Sequence, residues 1–188
     1  EVSGYATGVS KENGVLFMIG DAEIAGTDYG VYAEDTYVYA LVAHVDGGST
    51  GTGLHIVDSP DAWVYPMDAS GAIGMYVENT PFRWDGGVSD ATTALSVVDA
   101  TGTVENLTWS DSTTQVNAGN NAHITSIGNT IDANKLVVAS SAVIDEANLM
   151  SIDSTHLGAA PSSEVALLLT STDDERASYV STSFQPEA

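Results

Sequence analysis

The sequence predicts an all-β domain, a single jelly roll or β-sandwich of about eight to ten antiparallel strands. Three observations carry that expectation. Short runs rich in Val, Ile, Tyr and Thr, residues that fit a pleated surface, recur along the chain. Clusters of Gly, Asn, Asp and Pro separate them at intervals of about 8–12 residues. No stretch alternates a strand with a long helix, as a βαβ fold would require. No internal repeat stands out at periods of about 20–50 residues. The 188 residues, with no linker, suit one domain over 1–188.

Taken in order, Val15–Ile19 follows the turn signal Asn13-Gly14 and reads as a buried strand. Asp21–Gly30 reads as a loop in which Ala22-Glu23-Ile24-Ala25 is a short extended piece. Tyr37–Val45 is apolar on both alternating faces, as in a strand covered on both sides. Gly47–Gly53 then breaks the pattern and lets the chain reverse, so Leu54–Val57 is expected to pair antiparallel with it. Trp63–Tyr65 ends at Pro66, which cannot donate to a ladder. Ile73–Val77, Leu95–Val98 and Val104–Trp109 follow across further turns, and Asp111–Asn121 reads as a long polar loop. Ala122–Ile127 and Lys135–Ala139 are short strands. Ser141–Ile152 carries both helical and extended signals, with strand favoured. Val165–Thr170 and Ala177–Phe184 form a last hairpin.

Composition bounds the environment. Asp and Glu number 26 against four Lys and Arg, a formal net charge of −22, while 43% of the residues are hydrophobic. That much apolar content supports a core, so the charge belongs to the surface of a folded chain rather than to a disordered one. Self-repulsion destabilises a compact state. At about 1 M salt the Debye length falls to roughly 3 Å and most of the repulsion is screened. A halophile source is the expectation. The same charge argues against nucleic acid, whose phosphates call for Lys and Arg, and against anionic lipid headgroups. No run of about 18 apolar residues forms a spanning segment. Glu1-Val2-Ser3-Gly4 does not read as a signal peptide. The absence of cysteine excludes disulfides and thiolate metal sites.

Signals for chemistry are sparse, and no enzyme activity is expected. If the strands flanking Gly47–Gly53 pair as a hairpin, His44 faces His55, close enough for two imidazoles to share a metal given a third ligand from Asp46 or Asp58. Two polar residues on one sheet face explain the pair more simply. The expectation is therefore no catalytic group, no metal and no cofactor, beyond monovalent or divalent cations gathered by the acidic surface. The acidic runs Glu34-Asp35, Asp145-Glu146 and Asp173-Asp174-Glu175 read as solvated surface. Asn106-Leu107-Thr108 is a glycosylation acceptor sequence inside an expected strand. Of Trp63, Trp84 and Trp109, Trp84 beside Asp85-Gly86-Gly87 is the expected exposed ring.

The strand succession from Val15–Ile19 to Tyr179–Phe184, with the size and acidity of the chain, resembles the small single jelly-roll major capsid proteins of icosahedral haloarchaeal viruses with an internal membrane. That resemblance implies a structural subunit of a virion in high salt. It implies a homo-oligomer that also assembles with a second related capsid protein through lateral barrel contacts, standing above a membrane without crossing it. No residue role comes with the family. The alternative is a β-sandwich binding module of a secreted or cell-surface haloarchaeal protein, taking carbohydrate or a partner subunit. Aromatics gathered on one exposed face would favour it.

Overall fold

The computed structural model describes residues 2–109, 112–129, 131–132 and 135–146. Nine strands account for most of them: β1 Val2–Asp46, β2 Thr52–Val57, β3 Ala62–Glu78, β4 Phe82–Val98, β5 Thr101–Trp109, β6 Thr114–Ala118, β7 His123–Ile127, β8 Leu136–Val138 and β9 Val143–Glu146. The β class holds, and no α-helix occurs among the described residues.

The antiparallel jelly roll does not hold. Every strand pairing is parallel. Successive partners are offset by roughly 20 to 24 residues, the length of one repeat of a stacked array. The chain is a β-solenoid. Each coil has three sides, and each side lies on the corresponding side of the next coil. One side stacks Val38–Leu41, Ala62–Tyr65, Phe82–Asp85, Thr101–Glu105, His123–Ile127 and the start of β9. The second stacks Ala43–Asp46, Met67–Ser70, Gly87–Ser89 and Leu107–Trp109. The third stacks Tyr29–Glu34, Thr52–Val57, Ile73–Glu78, Thr93–Val98, Thr114–Ala118 and β8.

The corners explain why the chain travels round instead of folding back. Asp35, Asp58, Asn79, Asp99 and Asn121 all have left-handed φ, between 46° and 49°. Asn and Asp tolerate that region best after Gly. The Asn79 amide donates to Asp58 Oδ1 at 2.7 Å, and Asn121 donates to Asp99 Oδ1 at 2.7 Å. The next position in each coil is small and buried: Thr36, Ser59, Thr80, Ala100, Ala122 and Ala142. There Thr36 N–H donates to Ser59 Oγ, and Ser59 N–H donates to Thr80 Oγ1 at 2.9 Å. Side-chain hydroxyls thus satisfy backbone donors that a turn between sides would leave bare.

Inside, like residues stack over like positions. Ala40, Val64, Trp84, Val104 and Ser126 form one fully buried column. Val38, Ala62, Phe82, Gly102, Ile124 and Ile144 form another. Gly102 is needed there, because a Cβ would stand 2.2 Å from the Phe82 ring. A third column brings backbone against backbone. Gly30, Gly53 and Gly74 each point into a space where a Cβ would meet the carbonyl oxygen of the next coil's counterpart at 2.7 Å.

Several local expectations change with this architecture. Asp21–Gly30 belongs to β1, not to a loop, and the expected long loop Asp111–Asn121 contains strand β6 with Val116 and Ala118 buried. Within Ser141–Ile152, Val143–Glu146 is strand, Ser141 and Ala142 form the corner before it, and 147–152 lies outside the described residues, as does the expected hairpin 165–184.

Candidate functional site: an exposed aromatic face

The outward residues of the first side follow from simple alternation. In Phe82-Arg83-Trp84-Asp85, Phe82 and Trp84 are buried, so Arg83 and Asp85 point out. Register then places Tyr39, Trp63, Arg83, Thr103 and Thr125 in one outward column. Leu41, Tyr65, Asp85, Glu105 and Ile127 form the other. Phe17 extends the first column: its ring stacks on Tyr39 with centroids 5.1 Å apart and planes at 16°. Tyr37 lies beside them, 44% exposed. Trp63 and Tyr65 are 45% and 48% exposed, and Phe17 is 63% exposed. Ile19 and Val15 continue the apolar surface at the N-terminal end, alternating with inward Leu16 and Met18.

A polar group closes this strip. Arg83 Nη2 donates to Asp85 Oδ2 at 3.1 Å and to Glu105 Oε2 at 2.8 Å. The Glu105 hydrogen bond and charge hold the guanidinium above its ordinary pKa. The face therefore offers flat rings at one end and a fixed guanidinium between two carboxylates at the other. Parallel coils repeat at ~4.8 Å, so neighbouring rings in a column are in van der Waals reach.

Comparison with protein-family models, curated proteins and solved structures returned no match.

The two histidines singled out from the sequence are not partners. His44 lies on the second side, where Nδ1 is 3.2 Å from Asp68 Oδ2. It faces an open groove of about 520 Å³ that Glu23, Asp46, Asp68 and Asp90 also line. Asp46 and Asp68 have protein partners. Asp46 Oδ1 accepts from Gly48 N–H and from the Ser70 hydroxyl, and Asp68 Oδ1 accepts from Val88 N–H. His55 lies on the third side instead. The segment Gly47–Gly53 rounds a corner and does not reverse, which is why the expected cross-strand pair never forms. No metal-holding group of three or more His, Asp or Glu occurs among the described residues.

His55 has a different setting. Its ring is stacked between Tyr32 and Tyr76, with centroids 5.3 and 4.6 Å away, and meets the edge of Tyr29 at 4.8 Å. Its Nδ1 is buried with no hydrogen-bond partner. Burial lowers the imidazole pKa, and Glu78 opposes that only partly. The flanking phenols are pinned by carboxylates: Tyr32 donates to Glu34 at 2.8 Å and Tyr76 to Glu78 at 2.7 Å. Both are pushed up to about 12, Tyr32 chiefly by its hydrogen bond to Glu34 and Tyr76 chiefly by burial. This is a structural stack along the third side, and it gives the side a rigid aromatic spine.

The exposed tryptophan is Trp63, not Trp84, which is fully buried. Alternation between Arg83 and its neighbours was the signal for it. Among the described residues no helix is long and apolar enough to cross a membrane.

Proposed function

We propose that this chain is a binding module of a secreted or cell-surface protein from a high-salt organism, and that its aromatic face takes a neutral carbohydrate. The observation that carries the reading is the row of exposed Phe17, Trp63 and Tyr65 with half-buried Tyr39 among them, ending at Arg83. Large exposed apolar surface on a soluble fold marks an interaction site. Rings of this kind offer a flat apolar surface with a polar rim. That suits the C–H face of a pyranose, whose equatorial hydroxyls then reach Arg83, Asp85 and Glu105. The net charge of −22 disfavours polyanionic glycans. Molar salt weakens ion pairing but strengthens apolar contact, so a stacking surface keeps its affinity where a charged one would lose it.

The test is co-sedimentation or affinity electrophoresis against a panel of neutral polysaccharides in molar salt, with wild type, Trp63→Ala and Tyr65→Ala. Retention of wild type, reduced at least tenfold in either variant, supports the reading. No retention on any neutral glycan, or retention indifferent to Trp63→Ala, rejects it. The capsid role keeps acidity and size in its favour, but the described residues pair in parallel and do not form the antiparallel barrel that suggested it. Assembly of the purified chain into large particles in molar salt would return the argument to it.

A further inference from the structure

We propose that Asn106 is an N-glycosylation site. Asn106-Leu107-Thr108 is the chain's single acceptor sequence of the Asn-X-Ser/Thr type. It occurs where the fold can carry a glycan. β5 bends there: Asn106 has φ 51°, and the strand turns at it from the first side of the coil to the second. Asn106 and Thr108 are both exposed, while Leu107 between them is buried at 7% and anchors the bend. Leu107 N–H donates to Asn129 Oδ1 at 2.6 Å.

The corners above and below make room. The register that pairs Asp85 with Glu105 and Glu105 with Ile127 sets Gly86 and Gly128 at the corner positions on either side of Asn106. Neither has a side chain, and both have positive φ. A Cβ on Gly128 would stand 2.8 Å from Asn106 Oδ1. The Asn106 amide is the one side chain that projects from these three corners. Its nitrogen has only a long contact, 3.5 Å, to Asp85 Oδ1. Left-handed backbone accounts for an Asn at this corner, yet Gly serves at both neighbours. It does not account for Thr108, for which no side-chain hydrogen bond holds the hydroxyl among the described residues.

The reaction needs a lipid-phosphate-linked oligosaccharide and a membrane-bound transferase. The Asn106 amide nitrogen attacks the anomeric carbon of the donor. The new N–C bond forms as the anomeric C–O bond to phosphate breaks, the lipid phosphate leaves with the bonding pair, and the amide gives up one proton. Transfer precedes folding, and the finished glycan then stands off the corner into solvent.

This inference rests on the export assumed above, so the experiment separates the two. Full-length chain is isolated from the medium, surface and interior fractions of its native cells. Each fraction is measured by intact mass and by peptide mass across Asn106. A glycan mass on the Asn106 peptide of the exported protein is expected. It should vanish in Thr108→Ala and in Asn106→Gly, which keeps the corner conformation, and persist in Thr108→Ser. Exported protein at its bare polypeptide mass overturns the modification and leaves the binding module standing. Bare protein confined to the interior overturns export and the modification together.

Discussion

Gly102 shows how one absent methyl group sets the width of a coil. Its hydrogen atom faces the Phe82 ring of the coil before it, and a Cβ would overlap three ring carbons at 2.2–2.5 Å. Gly102→Ala should cost about 1–3 kcal/mol, the usual penalty for overpacking, read as a lower urea midpoint at fixed salt; an unchanged midpoint would show that Phe82 is free to move. His55 makes a different residue-scale prediction. Burial lowers its folded-state pKa beneath the unfolded value of 6.5. The unfolded chain then takes up the proton first, so the neutral ring's contribution is complete above about pH 6.5 and is lost as pH falls towards the folded pKa. His55→Phe keeps the stack with Tyr32 and Tyr76 and removes the proton. Stability measured from pH 7.5 to pH 5 should therefore decline less in the variant than in wild type. Equal slopes would place the ring in water.

At the scale of elements, most strands and corners were legible, and their direction was not. Trp63–Tyr65, Ile73–Val77, Leu95–Val98 and Val104–Trp109 are all strand in the structure. Asp58, Asn79 and Asp99 are all at bends. An apolar run, a left-handed residue and a second apolar run look alike in sequence whether the chain reverses or continues around a coil. The distinguishing signal lies a full coil away. Gly30-Val31-Tyr32-Ala33-Glu34-Asp35-Thr36, Gly53-Leu54-His55-Ile56-Val57-Asp58-Ser59 and Gly74-Met75-Tyr76-Val77-Glu78-Asn79-Thr80 share one pattern: glycine, apolar, aromatic, apolar, polar or apolar, acidic or amide, hydroxyl. Spacings that vary between coils, and Ala94 and Gln115 standing where glycine is expected, blur it. The aromatic face was legible only as far as parity allows, since Trp63 and Tyr39 become neighbours through register alone. The corner pattern is testable by substitution. Asn79→Ala loses the hydrogen bond to Asp58 and removes the short polar side chain that suits φ 46°. Ala tolerates the left-handed region less well than the Asn it replaces, so the change should cost about 1–2 kcal/mol, and Asn79→Gly distinctly less; equal losses would assign the whole effect to the hydrogen bond.

For the whole molecule, stacking changes how charge acts. Each coil contacts chiefly its neighbours, so stability accumulates coil by coil. Asp and Glu recur along the outside of the stack, where acids such as Asp35 and Asp58, Asp68 and Asp90, or Asp85 and Glu105 sit in adjacent or nearly adjacent coils. Repulsion of this kind runs along the axis and is relieved by screening. The urea midpoint should rise steeply from dilute to molar salt and level off once the Debye length is shorter than the coil spacing. A midpoint indifferent to salt would remove the high-salt assignment.

The parallel register also makes the length of this protein an adjustable quantity. Ala62 lies directly over Phe82, so excising residues 62–81 joins Asp61 to a residue that enters the next coil in the same place and direction. No strand has to change partners except by moving one level, and Val38 comes to rest on Phe82 as Ala62 did. The shortened chain should fold, show the same far-ultraviolet signature, and be shorter by ~4.8 Å. It would also lack Trp63 and Tyr65, and should lose glycan retention while remaining folded. The molecule is in this sense a ruler: its graduations are interchangeable as scaffold, and only the side chains marked on each one say what that graduation reads.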